Sequence, residues 1–205
     1  MARTIRESVR TELVISRSRF ITQLSPAAGP QEARQLVADM RTEFPDARHH
    51  CSAWIVQVDG EQDREHSSDD GEPSGTAGRP MLDVLRGHGL TNVAAVVVRF
   101  FGGILLGTGG LVRAYSDSVS QAIDRATLWT VTEVPRWEIS APVASAGRLE
   151  AVLRAEGWNV EAEWGADVTL AVTTDDKNRL AAISSSELGR DVDPRPAGTV
   201  QHFSR

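Results

Sequence analysis

The stretch Ser67–Pro80, SSDDGEPSGTAGRP, constrains this chain most. It carries Asp69, Asp70 and Glu72, three glycines and two prolines, with almost no apolar side chain. Glycine and proline at this density break both helical and strand periodicity, and burial of apolar surface cannot explain the composition. The stretch therefore reads as a shaped loop, in which Gly71, Gly75 and Gly78 permit backbone conformations that other residues resist. If it folds inward its carboxylates need partners, because an unpaired buried charge is costly. Arg79, Arg99, Arg113 and backbone N–H groups are the expected partners. Contact with a ligand, or a hard cation on oxygen ligands, are the alternatives.

A second unusual stretch, Phe100–Leu111 (FFGGILLGTGGL), holds five glycines. The two stretches are expected to face each other and to form the functional surface. Gly102 and Gly107 have the spacing of a phosphate-binding P-loop, but Thr108 stands where the lysine must be, and Lys177 is the only lysine in the chain. A dinucleotide fingerprint fails as well, since Val112 occupies the place of its last glycine or alanine. Two readings remain. The glycines allow close packing against the acidic loop, or they open a helix at about 110–125 whose N-terminus could hold an anion, helped by Arg113 one turn in.

With 205 residues the chain has room for one to two domains. A net charge of −6 argues against non-specific wrapping of duplex nucleic acid and leaves a local basic patch open. Residues 1–135 carry 14 arginines against 17 acids, and the remainder 8 bases against 11 acids, so charge does not separate two halves. One cysteine, Cys51, allows no intrachain disulfide. The N-terminus lacks the apolar core of a secretory signal. Val93–Val98, the longest aliphatic run, is far shorter than the roughly 20 residues of a spanning helix. A cytoplasmic protein with no membrane association is expected.

In chain order, Arg3, Arg6 and Arg10 mark a solvated lead-in. Glu12–Ile15 and Phe20–Leu24 read as a hairpin around Ser16–Arg19. Pro30 opens a helix whose buried face is Ala33, Leu36, Val37, Met40 and Phe44, and Pro45 stops it. Cys51–Val58 is a strand ended by the turn signal Asp59-Gly60, followed by a polar segment, 61–66. A short helix begins at Arg79-Pro80. Val93–Val98 is continuously apolar and so reads as a central strand covered on both faces. The pattern loosens over Thr127–Pro135, which reads as a link. Strands at 137–141, 158–163, 167–173 and 199–203, with helices at 146–156 and 177–188, then follow in βαββαβ order, the ferredoxin-like split unit. The expected domains are 1–132 and 133–205.

His49, His50, Cys51 and His66 raise the question of a metal or of a thiol–imidazole pair. Adjacent residues on an extended segment point to opposite faces, so only His49 can share a face with Cys51. A zinc site needs three or four ligands, which requires His66 to return alongside. A buried thiol with surface or loop histidines is the simpler account, and no metal or cofactor is expected.

Three separated motifs carry a resemblance: HHCSA at His49–Ala53, HSSDDGEPSGTAGRPML at His66–Leu82, and VVVRFFGGILLGTGGLVRAYSDSV at Val96–Val119. In this order they closely resemble the YigZ/IMPACT family, over most of residues 9–127. The resemblance implies an α+β chain. Its first domain would share the fold of the second domain of ribosomal protein S-five and of elongation factor G domain IV. Its second domain would be ferredoxin-like, similar to domain V of that factor. Eukaryotic members regulate translation through a stress-responsive kinase system that does not transfer to a bacterial-type chain.

The expected function is therefore a non-catalytic, translation-associated regulator. It would bind RNA, ribosome or a protein partner through the two loops. The alternative is a nucleotide- or phosphate-binding enzyme built on Gly102–Gly110. From the first loop and its neighbours the expected contact residues are His49, His66, Asp69, Asp70, Glu72, Ser74, Thr76 and Arg79. From the second they are Arg99, Gly103, Thr108, Gly109, Gly110, Arg113 and Tyr115. No catalytic residue is assigned. A pure adaptor would show an exposed apolar patch near Trp129, Trp137 or Trp164.

Overall fold

The computed structural model describes residues 2–58 and 62–205. The Asp59-Gly60 turn signal lies outside the described residues. The protein is a mixed α+β chain whose described residues form five helices and two antiparallel sheets. It divides into two units, one running to Val131 and taking in Ser204–Arg205, the other spanning Thr132–Phe203.

The first unit is built on β2 (Val9–Ile15), β3 (Ser18–Pro26), β4 (His49–Val56), β5 (Arg64–Ser68) and β6 (Val93–Phe100), in the order β2-β3-β6-β4-β5. The central position expected for Val93–Val98 is observed, and every residue from Val93 to Arg99 is buried. Alternate strand residues feed two cores. On one face Phe20, Leu24, Cys51, Ala53, Val93, Ala95 and Val97 pack under α2 (Gly78–Gly87) and α3 (Gly107–Arg125). On the other, Ile21, Val96 and Val98 meet Met40, Val37 and Phe44 of the first helix and its C-cap. That helix, α1, runs Pro30–Glu43, with proline at its start and Phe44 as C-cap.

The β2–β3 hairpin closes on two residues, Ser16 and Arg17, at φ 49° and 66°. Positive φ at both turn positions matches the right-handed twist of the flanking strands.

Three expectations for this unit change. The lead-in is strand β1 (Ala2–Ile5), with Thr4 and Ile5 buried, and it pairs antiparallel with Leu128–Val131. The supposed link is therefore strand β7 (Leu128–Ala141). The polar segment after Asp59-Gly60 ends in β5, which pairs with β4 and takes Ser67 and Ser68 out of the loop. In each case cross-strand pairing overrides a weak local pattern.

In the second unit the rest of β7 is followed by α4 (Val143–Ala155), β8 (Asn159–Trp164), β9 (Val168–Thr173), α5 (Lys177–Leu188) and β10 (Arg195–Ser204). Strand β7 pairs with β9, β9 with β8, and β10 with β7, while β1 joins the same five-stranded sheet at the other end of β7. Leu149, Leu153 and Leu180 anchor its core with Ile139, Val160, Leu170 and Val172. Asp176 caps α5 by accepting from Arg179 N at 2.9 Å, and Gly189 ends it at φ 62°.

Candidate functional site

The acidic loop runs from the end of β5 to the start of α2, and each of its carboxylates has a different fixed partner. Asp69 accepts from Gly75 N at 2.8 Å, Ala77 N at 3.0 Å and Gly78 N at 2.8 Å. Helix α2 has no capping side chain at Ala77 itself, so a carboxylate eight residues upstream satisfies its free N–H groups. Gly78 is required there, since an added Cβ would lie 2.6 Å from Ser68 N. Burial alone would raise the Asp69 pKa, but the three backbone donors outweigh it and hold the carboxylate below its ordinary value. The linked stability is therefore complete above the ordinary carboxylate range and is lost as pH falls through the folded-state value. Asp69→Ala is expected to cost about 0.5–2 kcal/mol, the range for a lost helix cap. Acid denaturation followed by circular dichroism should also show the variant losing less stability than the parent on acidification.

Asp70 sits at φ 43°, a conformation Asp tolerates better than most residues. Its carboxylate accepts from His50 N at 2.6 Å and from Arg41 Nη2 at 2.5 Å, and its carbonyl lies 2.9 Å from His49 Nδ1. His50 Nε2 lies 3.2 Å from Phe44 O. Burial holds the His50 imidazole below its ordinary pKa, against the opposing pull of that hydrogen bond and of Asp70. The ring thus belongs to the join between α1, β4 and the loop.

Glu72 is the buried member. Its Oε1 accepts from Arg99 Nη1 at 2.6 Å and from the Tyr115 hydroxyl at 2.8 Å, and the Glu72 and Arg99 side chains are 4% and 7% exposed. The Arg99 guanidinium also lies over Phe20 and Phe101, at 5.4 and 5.7 Å. Its Nε has no hydrogen-bond partner among the described residues. By contrast, Arg10–Glu43 and Arg19–Glu12 are about half exposed, where such pairs contribute little.

Cys51 is fully buried beneath this network, with Sγ 3.0 Å from Asp69 O and 3.3 Å from the Tyr115 hydroxyl. Burial pushes its thiol up to about 12, and the nearby carboxylates add to the effect. The Tyr115 hydroxyl is raised too, chiefly by burial. A thiol so placed is no nucleophile near neutral pH, and the rings of His49 and His50 turn to backbone oxygens and to Asp70 rather than to Cys51. Alkylation of Cys51 at pH 8 is expected only at the rate of unfolding. Prompt stoichiometric labelling of the native protein, read by mass spectrometry, would show the thiol to be accessible.

The remaining expected residues scatter. His66 is exposed on β5, opposite Trp54 and stacked on it at 5.3 Å, so the hairpin does not return it to Cys51. Ser74 is exposed, and Thr76 is buried with its hydroxyl 2.6 Å from Pro73 O. Arg79 pairs with Asp83 at 3.0 Å on its own helix.

The second loop differs from expectation in its packing. Gly102 lies against the β2–β3 turn, where an added Cβ would be 2.0 Å from Arg17 C, and its N–H donates to Ser18 Oγ at 3.2 Å. An added Cβ at Gly103, Gly107 or Gly109 meets nothing within 4 Å, and at Gly110 it meets only Leu106 Cβ. The expected close packing on the acidic loop is thus replaced by packing on the hairpin turn. The acidic loop instead reaches α3 through Glu72 and Tyr115. Helix α3 starts at Gly107, three residues earlier than expected, and Thr108, Gly109 and Gly110 form its first turn with Arg113 exposed just beyond. Phe101, Ile104 and Leu105 are 52%, 43% and 87% exposed. Sequence reasoning missed both this apolar tip and Arg41. The tip had a signal in the run Ile104–Leu106 between glycines, whereas Arg41 had none.

The profile of the Impact N-terminal domain matches residues 16–123, more than half of the chain, and spans every residue of the two loops. The chain belongs to the IMPACT family. Its relatives include "IMPACT family member YigZ" of Escherichia coli (strain K12), 43% identical over 77% of this chain and 78% of that protein. "IMPACT family member YvyE" of Bacillus subtilis (strain 168) is 41% identical over 74% of this chain and 69% of that protein. A crystal structure of a hypothetical protein aligns over 90% of this chain and 91% of its own, with TM-score 0.70 and 38% identity. The bracing network of this IMPACT family chain lies wholly within the matched span. Among the described residues no helix is long and apolar enough to cross a membrane.

Proposed function

We propose that this IMPACT family chain is a non-catalytic, translation-associated regulatory protein that binds a macromolecular partner through the tip of its second glycine loop. The observation that carries this reading is the exposure of Phe101, Ile104 and Leu105 on a loop whose base is fixed against the hairpin turn. Exposed apolar groups that cluster, rather than scatter singly, mark interaction sites. The acidic loop has its carboxylates committed to backbone, arginine and tyrosine. Arg79 and Arg99 are held by Asp83 and Glu72, which favours an apolar, protein-type contact over a phosphate contact at this surface. The translation setting rests on family membership. The pairing of β7 with both β9 and β10, and of β9 with β8, supports a ferredoxin-like second domain, and a five-stranded antiparallel sheet with helices on both faces supports the S-five-like reading of the first.

The test is co-sedimentation with ribosomes that retain their associated factors, comparing the parent chain with Leu105→Asp. Parent protein is expected in the pellet and the variant in the supernatant, at equal melting temperatures, because a surface change usually shifts stability by no more than about 0.5 kcal/mol. Parent protein remaining in the supernatant at low salt would remove the translation association. Equal pelleting of both would remove the loop tip as the contact.

A further inference from the structure

A pocket of about 400 Å³ lies away from both loops, and all of its lining residues belong to the first unit. Three guanidinium side chains line it, Arg6, Arg125 and Arg205, together with Trp129, Ser8 and a single carboxylate, Glu7. The Trp129 ring holds two of these cations, with Arg6 at 5.4 Å from its centroid and Arg205 at 4.9 Å. A ring in that position lowers the cost of bringing two guanidiniums together. Arg125 closes the group from the last turn of α3. The lining thus brings three guanidiniums together with one side-chain carboxylate in a chain whose net charge is −6. Guanidinium donors lie in a rigid fork that matches phosphate oxygens. The volume falls within the range of small-ligand pockets, about 300–1,000 Å³.

We infer that the Arg6–Arg125–Arg205 pocket beside Trp129 binds a phosphate group. It is carried by a free phosphorylated small molecule or by a single-stranded RNA. The reading is independent of the loop tip, since no residue is shared. It also accounts for basic residues that the acidic-loop neighbourhood does not use.

The experiment is calorimetric titration of the full chain at low salt with two probes, inorganic pyrophosphate and a single-stranded RNA decamer without terminal phosphates. Saturable binding of either is expected, and which one binds identifies the source of the phosphate. Arg125→Glu should weaken it by about tenfold or more, the scale of one lost charge-assisted hydrogen bond. Arg125→Gln serves as a milder variant should the first fail to fold. Affinity should fall with added salt, as phosphate contacts require. Absence of saturable binding to both probes at millimolar concentration would overturn the inference, as would binding indifferent to both Arg125 substitutions.

Discussion

Replacing Glu72 with alanine is expected to destabilise the first unit by about 3–5 kcal/mol, the cost of leaving one member of a buried ion pair alone. Arg99 and Glu72 side chains are 7% and 4% exposed, so water does not readily replace the lost carboxylate. Arg99 already has one unpartnered nitrogen, Nε, among the described residues, and Tyr115 would lose the acceptor of its buried hydroxyl. Urea unfolding followed by tryptophan fluorescence and by circular dichroism measures the loss. The double variant Glu72→Ala, Arg99→Met should recover much of it, because exchanging a whole buried pair for apolar groups is often neutral. A loss below about 1 kcal/mol in the single variant would place the pair with exposed ion pairs and would free Glu72 for another role.

Alanine at Gly102 should destabilise the protein, whereas alanine at Gly109 should not. At Gly102 the new Cβ would lie 2.0 Å from Arg17 C, 2.3 Å from Arg17 O and 2.4 Å from Ser18 N. These obstacles are backbone atoms at a two-residue turn already at positive φ, not the flexible end of a side chain. The turn or the loop must move, and overpacking of this kind costs about 1–3 kcal/mol, occasionally more. At Gly109 the Cβ meets nothing within 4 Å, and the residue is in the first turn of α3. Alanine there should leave stability unchanged or raise it by up to about 1 kcal/mol, the difference in helix propensity. Thermal melts of the two variants side by side decide the matter. An unperturbed Gly102→Ala would mean that the loop does not rest on the hairpin.

Much of the first unit was legible because its signals are local and strong. The proline start and apolar spacing of α1, the unbroken β-branched run of β6 and the long apolar face of α3 each point to one structure. Strand β1 was not legible, because four residues, ARTI, become a strand only by pairing with Leu128–Val131, more than a hundred positions away. Strand β5, REHSS, is polar and lies at the sheet edge, where alternation between buried and exposed faces is weakest. At the site, the need of the acidic loop for arginine and N–H partners follows from its composition, and Arg99 was among the partners named. Arg41 was not, because nothing in an exposed helical arginine says which loop it will reach. The three backbone donors to Asp69 follow from the chain path between β5 and α2, which no residue pattern encodes.

Native-state amide hydrogen exchange at Gly75, Ala77, Gly78 and His50 reads the bracing of the acidic loop residue by residue. These four N–H groups donate to Asp69 and Asp70 on a segment nearly devoid of apolar side chains. If the carboxylates serve as braces, the four amides exchange slowly, and Asp69→Ala releases the first three while leaving His50 protected. Exchange at the rate of an unstructured peptide in the parent protein would contradict a rigid, structural loop and would return Asp69, Asp70 and Glu72 to consideration as free functional groups.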